Sequence, residues 1–357
     1  MGLKTVVDYM EDNVGNNGNL FIGIDAGMFR TSVCTGDGKK FSERSVVAFS
    51  SGDSNGPDKK VISGKEALDL EDGKRMELFK GELKTDDDIS ACRQFLRSIL
   101  EKHEIYPGNS DRDTYVILGV PSNTDRAYRR KLLELSNELF SGAMLVDEHF
   151  CTAYKNNLPD RSIIVDIGFS RTDICIIDSE IPRENDCLRL SCAGKDIDSE
   201  IVKLINERWT DSKVSEELAR EWKEKYGRLG SGSDTCVVDV PLENGNIQES
   251  IMEELQLACE FVVTDIVSGI IRLLSDLDPE LREKLRNNIH IFGGTSDLNG
   301  IGTFIESELK VLGGGKVYSD IDPVYGISEG ALELAKNMPP EFWDQLTVEK
   351  ETKEMIS

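Results

Sequence analysis

Two stretches of this chain repeat one design. Residues 161–178, RSIIVDIGFSRTDICIID, run from an apolar β-branched segment into Asp166, turn through Gly168 and re-enter an apolar segment at Ile174. Residues 20–34, LFIGIDAGMFRTSVC, do the same with Asp25, Gly27 and Thr31. Each spacing predicts a β-hairpin with a carboxylate at the mouth of a glycine turn. Two copies in one chain predict a duplicated fold that grips one polyphosphate and its metal from both sides. Glycine turns let backbone N–H groups approach phosphate oxygens, and the carboxylates can hold Mg²⁺ through its waters.

At 357 residues the chain has room for one large two-lobed domain or two average ones. No apolar run is long enough to span a bilayer. The start, MGLKTVVDYMEDNVGNNGN, lacks the basic opening and apolar core of a secretory signal. The expectation is a cytoplasmic protein with no transmembrane segment. A net charge of −24 repels nucleic acid, so direct binding to it is not expected. RAYRRK (126–131) is one candidate basic patch, read here as a solvated helix face. The same charge predicts that any self-assembly depends on ionic strength. Eight cysteines without a C-x-x-C pair argue against structural zinc. Cys34, Cys175 and Cys259 lie in apolar runs and read as reduced core thiols. Cys187 and Cys192 bracket a predicted turn and are expected to stay unbridged in a reducing compartment.

Periodicity predicts strands at 20–25, 31–35 and 45–49, and turn chemistry over SSGDSNGPD (50–58). Thr85 followed by Asp86, Asp87 and Asp88 reads as a helix start rather than a metal cluster, because the acids sit at the positive end of the helix dipole. YVILGVPS (115–122) reads as a buried strand, 125–140 as an amphipathic helix, and LVDEHF (145–150) as a short strand leading into another helix. Helices are predicted at 197–209, 215–226 and 251–275, the last a buried crossover. NIHIFGGTSDLNGI (288–301) reads as strand, glycine turn and helix, a further phosphate cradle, and a final helix follows from Tyr325. Strands alternating with helices give an α/β class with mixed sheets.

The order of these motifs resembles the actin-like ATPase superfamily. Its phosphate-one motif is similar to Ile24–Thr31, its first connection to Val146–Tyr154, its phosphate-two motif to Val165–Asp173, its adenosine motif to Phe292–Ser296 and its second connection to YGISEGAL (325–332). The segments KKFSERSVVAFS, VILGVPS, IIVDIG with TDIC, LACEFVVTDI and MPPEFWDQL narrow the resemblance, from about residue 19 to about 346, to the MamK-type actin-like filament proteins that organise magnetosome chains.

The resemblance implies an actin-like fold of two lobes, each a mixed sheet flanked by helices, with a nucleotide cleft between them. Lobe I would span 20–160, with an outer subdomain at about 45–85, and lobe II 161–324, with an outer subdomain at about 200–250. A helix at 325–346 would return to lobe I, between a polar tail at 1–19 and a second tail at 347–357. It implies ATP or ADP with Mg²⁺ as cofactors, and hydrolysis coupled to filament dynamics. Asp25 and Asp166 would position the waters of Mg²⁺, and Glu148 would orient the attacking water. Gly27, Met28, Phe29, Arg30 and Thr31, with Gly168, Phe169, Ser170 and Arg171, would surround the phosphates. Gly293, Gly294 and Thr295 would flank the α-phosphate and adenosine, and Lys223 and Glu224 would close over adenine and ribose. The implied partners are further copies of the chain and magnetosome or membrane-associated adaptor proteins, and the implied location is a cytoskeletal filament alongside magnetosomes.

Both turns depart from the family's pattern. Met28, Phe29 and Arg30 stand where a small or hydroxyl residue is usual, and Phe169 and Arg171 stand in the second turn. Three readings stand side by side: the bulk crowds the γ-phosphate, the arginines replace lost donors, or both face solvent. Slow turnover is therefore one expectation, and a nucleotide-binding pseudo-ATPase scaffold is an alternative. A small-molecule kinase of the same superfamily is another. His149, beside Glu148, reads as structural. Of the three tryptophans, Trp209, Trp222 and Trp343 read as packing residues, with Trp222 the one that could face an adenine.

Overall fold

The computed structural model describes residues 18–50, 61–70, 73–81, 83–105, 112–122, 124–158, 161–178, 186–230, 236–339 and 341–343. Expectations for residues 1–17, for the turn at 51–58, and for the end of the PPEFWDQL segment with the tail beyond it lie outside these residues.

In chain order the strands are β1 (Leu20–Ala26), β2 (Arg30–Thr35), β3 (Lys40–Arg44), β4 (Val46–Ser50), β5 (Val61–Ser63), β6 (Gly73–Glu77), β7 (Thr114–Val120), β8 (Gly142–Asp147), β9 (Ser162–Ile167), β10 (Thr172–Ile177), β11 (Cys187–Leu190), β12 (Val237–Leu242), β13 (Gly245–Ser250), β14 (Ile289–Phe292) and β15 (Val317–Ser319). The helices are α1 (Asp86–Lys102), α2 (Arg126–Leu139), α3 (Glu148–Lys155), α4 (Gly194–Arg208), α5 (Glu216–Tyr226), α6 (Met252–Ser275), α7 (Pro279–Arg286), α8 (Ile301–Glu308) and α9 (Gly326–Asn337). They fall into two compact units, the first from residues up to 158 together with those from 325 onward, the second from residues 159–324.

The first unit holds a five-stranded sheet in the order β3-β2-β1-β7-β8. β1 pairs antiparallel with β2 and parallel with β7. Alternation along β1 sends Leu20, Ile22 and Ile24 to the face covered by α1 and α2, and Phe21 to the face covered by α3 and α9. Glycine permits the second contact. A Cβ on Gly23 would overlap the Ser328 carbonyl of α9, and one on Gly330 would overlap the Cys151 carbonyl of α3. Trp343 closes this face, 5.0 Å from the Tyr115 ring, with its indole N–H donating to the Ala335 carbonyl. A separate three-stranded sheet, β5-β4-β6, follows β3. α1 starts as predicted: Thr85 and Asp88 form a reciprocal capping box.

The second unit repeats the pattern in a sheet ordered β11-β10-β9-β14-β15, again an antiparallel hairpin continued by two parallel strands. α6 packs its apolar faces into this unit's core beside α4, α5 and Trp222, which is 7 % exposed and lies within that core. β12 and β13 form a separate hairpin.

Two cysteine expectations are corrected, that Cys175 is a reduced core thiol and that Cys187 stays unbridged. Cys175 is not a reduced thiol but is bridged to Cys187, with Cα atoms 4.2 Å apart. The β10–β11 register places the two opposite each other, and nothing in the sequence spacing discloses that register. Cys34, Cys192 and Cys259 are free thiols.

Candidate functional site

In the first unit, Asp25 sits half-buried near the end of β1, opposite Ser32 of β2 and Gly119 of β7. A Cβ on Gly27 would stand 2.6 Å from the Arg30 carbonyl, so only glycine closes this turn without displacement. Ser45 then braces it. Its hydroxyl donates to the Gly27 carbonyl at 2.6 Å, its N–H donates to the Phe29 carbonyl, and it accepts from the buried Thr31 hydroxyl at 2.9 Å. Arg30 opens β2 opposite Arg44 of β3. The Arg44 guanidinium lies 3.5 Å over the Phe29 ring, a cation–π contact. Met28 is half-buried in the same turn.

Glu148 is the first residue of α3 and is 4 % exposed. Its Cγ lies beside Gly119, the strand partner of Asp25, 3.6 Å from where a Cβ there would be. The Cys151 thiol reports the local field. Burial, and then the carboxylates of Asp147, Glu148 and Asp25, push it well above its ordinary range. Asp147 caps α3, accepting from the His149 N–H at 3.0 Å and from its ring Nδ1 at 3.2 Å. The Ser122 hydroxyl lies 2.9 Å from the same Nδ1. Burial would raise the Asp147 carboxyl, but the bonds from His149 and Ser122 hold it below the usual carboxylate value.

In the second unit, Asp166 of β9 lies opposite Asp173 of β10 and beside Phe292 of β14. The Gly168 carbonyl is the junction of this half. It accepts from the Gly194 N–H at 3.1 Å and from the Thr295 hydroxyl at 2.9 Å, while the Phe169 carbonyl accepts from the Lys195 N–H at 2.8 Å. The hairpin turn therefore sits on the N-terminus of α4, the positive end of its dipole. Gly293 has φ +82°, and a Cβ there would overlap an Asp166 carboxylate oxygen. Gly294 opens the 3₁₀ turn Gly294–Asp297 that carries Thr295.

The Lys223 ammonium donates to the Gly194 carbonyl at 2.8 Å and pairs with buried Asp198 at 2.5 Å, whereas Glu224 is exposed on α5. Arg220, also paired with Asp198 at 2.9 Å, lies 4.6 Å over the Phe169 ring. Arg171 and Arg189 both donate to buried Asp173, at 2.9 and 2.7 Å. Ser170 is half-buried in the turn. Asp166, Gly168, Gly293, Thr295 and Lys223 thus meet in one knot. Beyond Thr295, beside α8 and β15, lies a 350 Å³ cavity bordered by Ser296, Glu306, Lys316 and Asp320.

Among the described residues no group of three or more His, Cys, Asp or Glu side chains is arranged to hold a metal. Asp25 and Asp166, each taken in its own unit, are single carboxylates of the kind that meets Mg²⁺ through water, with phosphate oxygens completing the shell of a nucleotide-bound ion. Sequence reasoning missed Ser45, Arg44, Gly194, Asp198 and Arg220. Each acts on its turn from a distant segment, and no local spacing marks it.

Two hairpins of this kind, each opening a five-stranded sheet of the same strand order, with a Gly-Gly-Thr turn locked to the second, define an actin-like ATPase fold. Residues 19–340 match the model of the MreB/Mbl protein family, and the chain belongs to that family, in its MamK-type branch. It is 30% identical over 353 residues to the actin-like protein MamK of Magnetospirillum gryphiswaldense, covering 95% of each chain. A solved MamK double helical filament is similar at a TM-score of 0.81 and 27% identity, over 90% of this chain and 100% of that one. A non-polymerising MamK mutant bound to AMPPNP is similar at a TM-score of 0.72 and 27% identity, over 89% of this chain and 99% of that one.

Proposed function

We propose that this chain binds ATP with Mg²⁺, polymerises into actin-like filaments and, through adaptor proteins, organises magnetosome chains. The observation that carries this reading is the pair of braced glycine turns, each with a half-buried aspartate at the end of its leading strand. The likeness to a MamK filament and to an AMPPNP-bound MamK mutant supports it. In this reading Asp25 and Asp166 orient waters of the metal, and N–H groups of the turns that follow Gly27 and Gly168 face phosphate oxygens, the Gly168 N–H itself donating to the Arg171 carbonyl at 3.1 Å. Gly293, Gly294 and Thr295 flank the α-phosphate. Lys223 shapes the adenosine side through Gly194, while Glu224 is free of that buried knot and reaches the ribose. Mg²⁺ would supply charge neutralisation in phosphoryl transfer, which needs an aligned water rather than covalent help. The buried Glu148 carboxylate aligns that water.

A second reading, a scaffold that polymerises without turnover, is favoured by the bulk of Met28, Phe29 and Phe169 and by the engagement of Arg171 with Asp173. Sedimentation with and without ATP, scored beside phosphate release, separates the two. The proposal expects ATP-dependent pelleting and slow phosphate release that Glu148→Ala abolishes. Pelleting indifferent to nucleotide, with no phosphate released, would establish the scaffold. Phosphate transfer to a small alcohol without polymer would replace both with a kinase.

A further inference from the structure

We propose that Asp147, His149 and Ser122 form a positioning device that sets the carboxylate of Glu148. The proposal rests on the reading of Glu148 as the group that aligns the attacking water. Glu148 stands between Asp147 and His149, and both of these neighbours are held. Asp147 ends β8 and lies in register with Val120 at the end of β7, two residues before Ser122. The trio therefore ties the carboxyl ends of two parallel strands to the first turn of α3.

The chemistry of the bonds fixes the ring. A carboxylate only accepts, so the His149 proton facing Asp147 at 3.2 Å is carried on Nδ1. The Ser122 hydroxyl, 2.9 Å from that nitrogen, completes the cluster. His149 is 1 % exposed, so its ring has no room to change rotamer without moving the turn. A helix cap by itself requires only the bond from the His149 N–H to Asp147. The buried imidazole and the serine are additional, and they act on the backbone on either side of Glu148. With that backbone fixed, the Glu148 side chain lies beside Gly119, next to Asp25. A reacting group misplaced by about 1 Å can lose about a hundredfold in rate.

The test compares His149→Ala, Asp147→Asn, Ser122→Ala and His149→Asn with the parent, by phosphate-release kcat and KM, affinity for a fluorescent ATP analogue, and pelleting. His149→Asn keeps an N–H near the Nδ1 position. His149→Ala and Asp147→Asn are expected to lower kcat about tenfold or more, with KM, affinity and pelleting within about twofold. His149→Asn is expected to recover most of the loss, and Ser122→Ala, the mildest change, to show a smaller fall in kcat alone. An unchanged kcat in His149→Ala, or an equal loss in His149→Asn, would overturn the proposal, as would affinity and kcat falling together. Should Glu148→Ala release phosphate as fast as the parent, or the parent release none, the reading of Glu148 fails. A crystal structure of His149→Ala then decides the positioning claim: a displaced Glu148 carboxylate sustains it, and an unmoved one overturns it.

Discussion

At the scale of single residues, the two halves share more than a strand order. Ser45 donates a hydroxyl to the carbonyl of Gly27, and Thr295 donates one to the carbonyl of Gly168. Arg44 covers Phe29, and Arg220 covers Phe169. Each turn is thus pinned by one hydroxyl and covered by one guanidinium from its own unit. Ser45→Ala leaves both the Gly27 carbonyl and the buried Thr31 hydroxyl short of a partner. It should cost about 1–3 kcal/mol in urea unfolding and weaken nucleotide affinity. Thr295→Val should act in the same direction through Gly168. The aspartates and glycines of the turns were legible in the sequence because a tight turn writes its needs into adjacent residues. The bracing residues were not, because they arrive from other strands and helices through register. His149 illustrates the same limit: alone it reads as a structural histidine, and only its distances to Asp147 and Ser122 connect it to Glu148.

At the scale of elements, the long periodic segments were legible: β1, β2, β7 and β9, and the helices α1, α2, α4, α5, α6 and α9, fall where apolar period and caps place them. β3, β11, β12, β13 and β15 were not, since they are short, part-exposed and carry little alternation. What holds α9 in place was equally hidden. Gly330→Ala should drive a methyl into the Cys151 carbonyl and destabilise the first unit by about 1–3 kcal/mol or more, read as a lower urea midpoint with unchanged slope. The capping box of α1 makes a pH prediction. Bonds from the Thr85 N–H and hydroxyl hold the Asp88 carboxyl below its ordinary value of 3.8. Its contribution is therefore fully present above that value and is lost as pH falls below it. Stability measured from pH 6 downward should lose an acid-sensitive component in Asp88→Ala, and Thr85→Ala should cost about 1 kcal/mol at neutral pH.

At the scale of the whole molecule, two units with one strand order each present an aspartate and a braced glycine turn, and the net charge of −24 acts on any assembly of copies. Pelleting should rise from low to physiological salt as that repulsion is screened, and a salt-independent pellet would mean that assembly does not feel the charge. The two-lobed family architecture was legible because the motif order survives where individual turn residues have changed. The most direct measurement is a structure of the protein with AMPPNP and Mg²⁺. One nucleotide is expected, with metal-bound waters reaching both Asp25 and Asp166, and phosphate oxygens facing N–H groups of the turns that follow Gly27 and Gly168. A nucleotide engaged by only one of the two aspartates, or bound away from both turns, would contradict it.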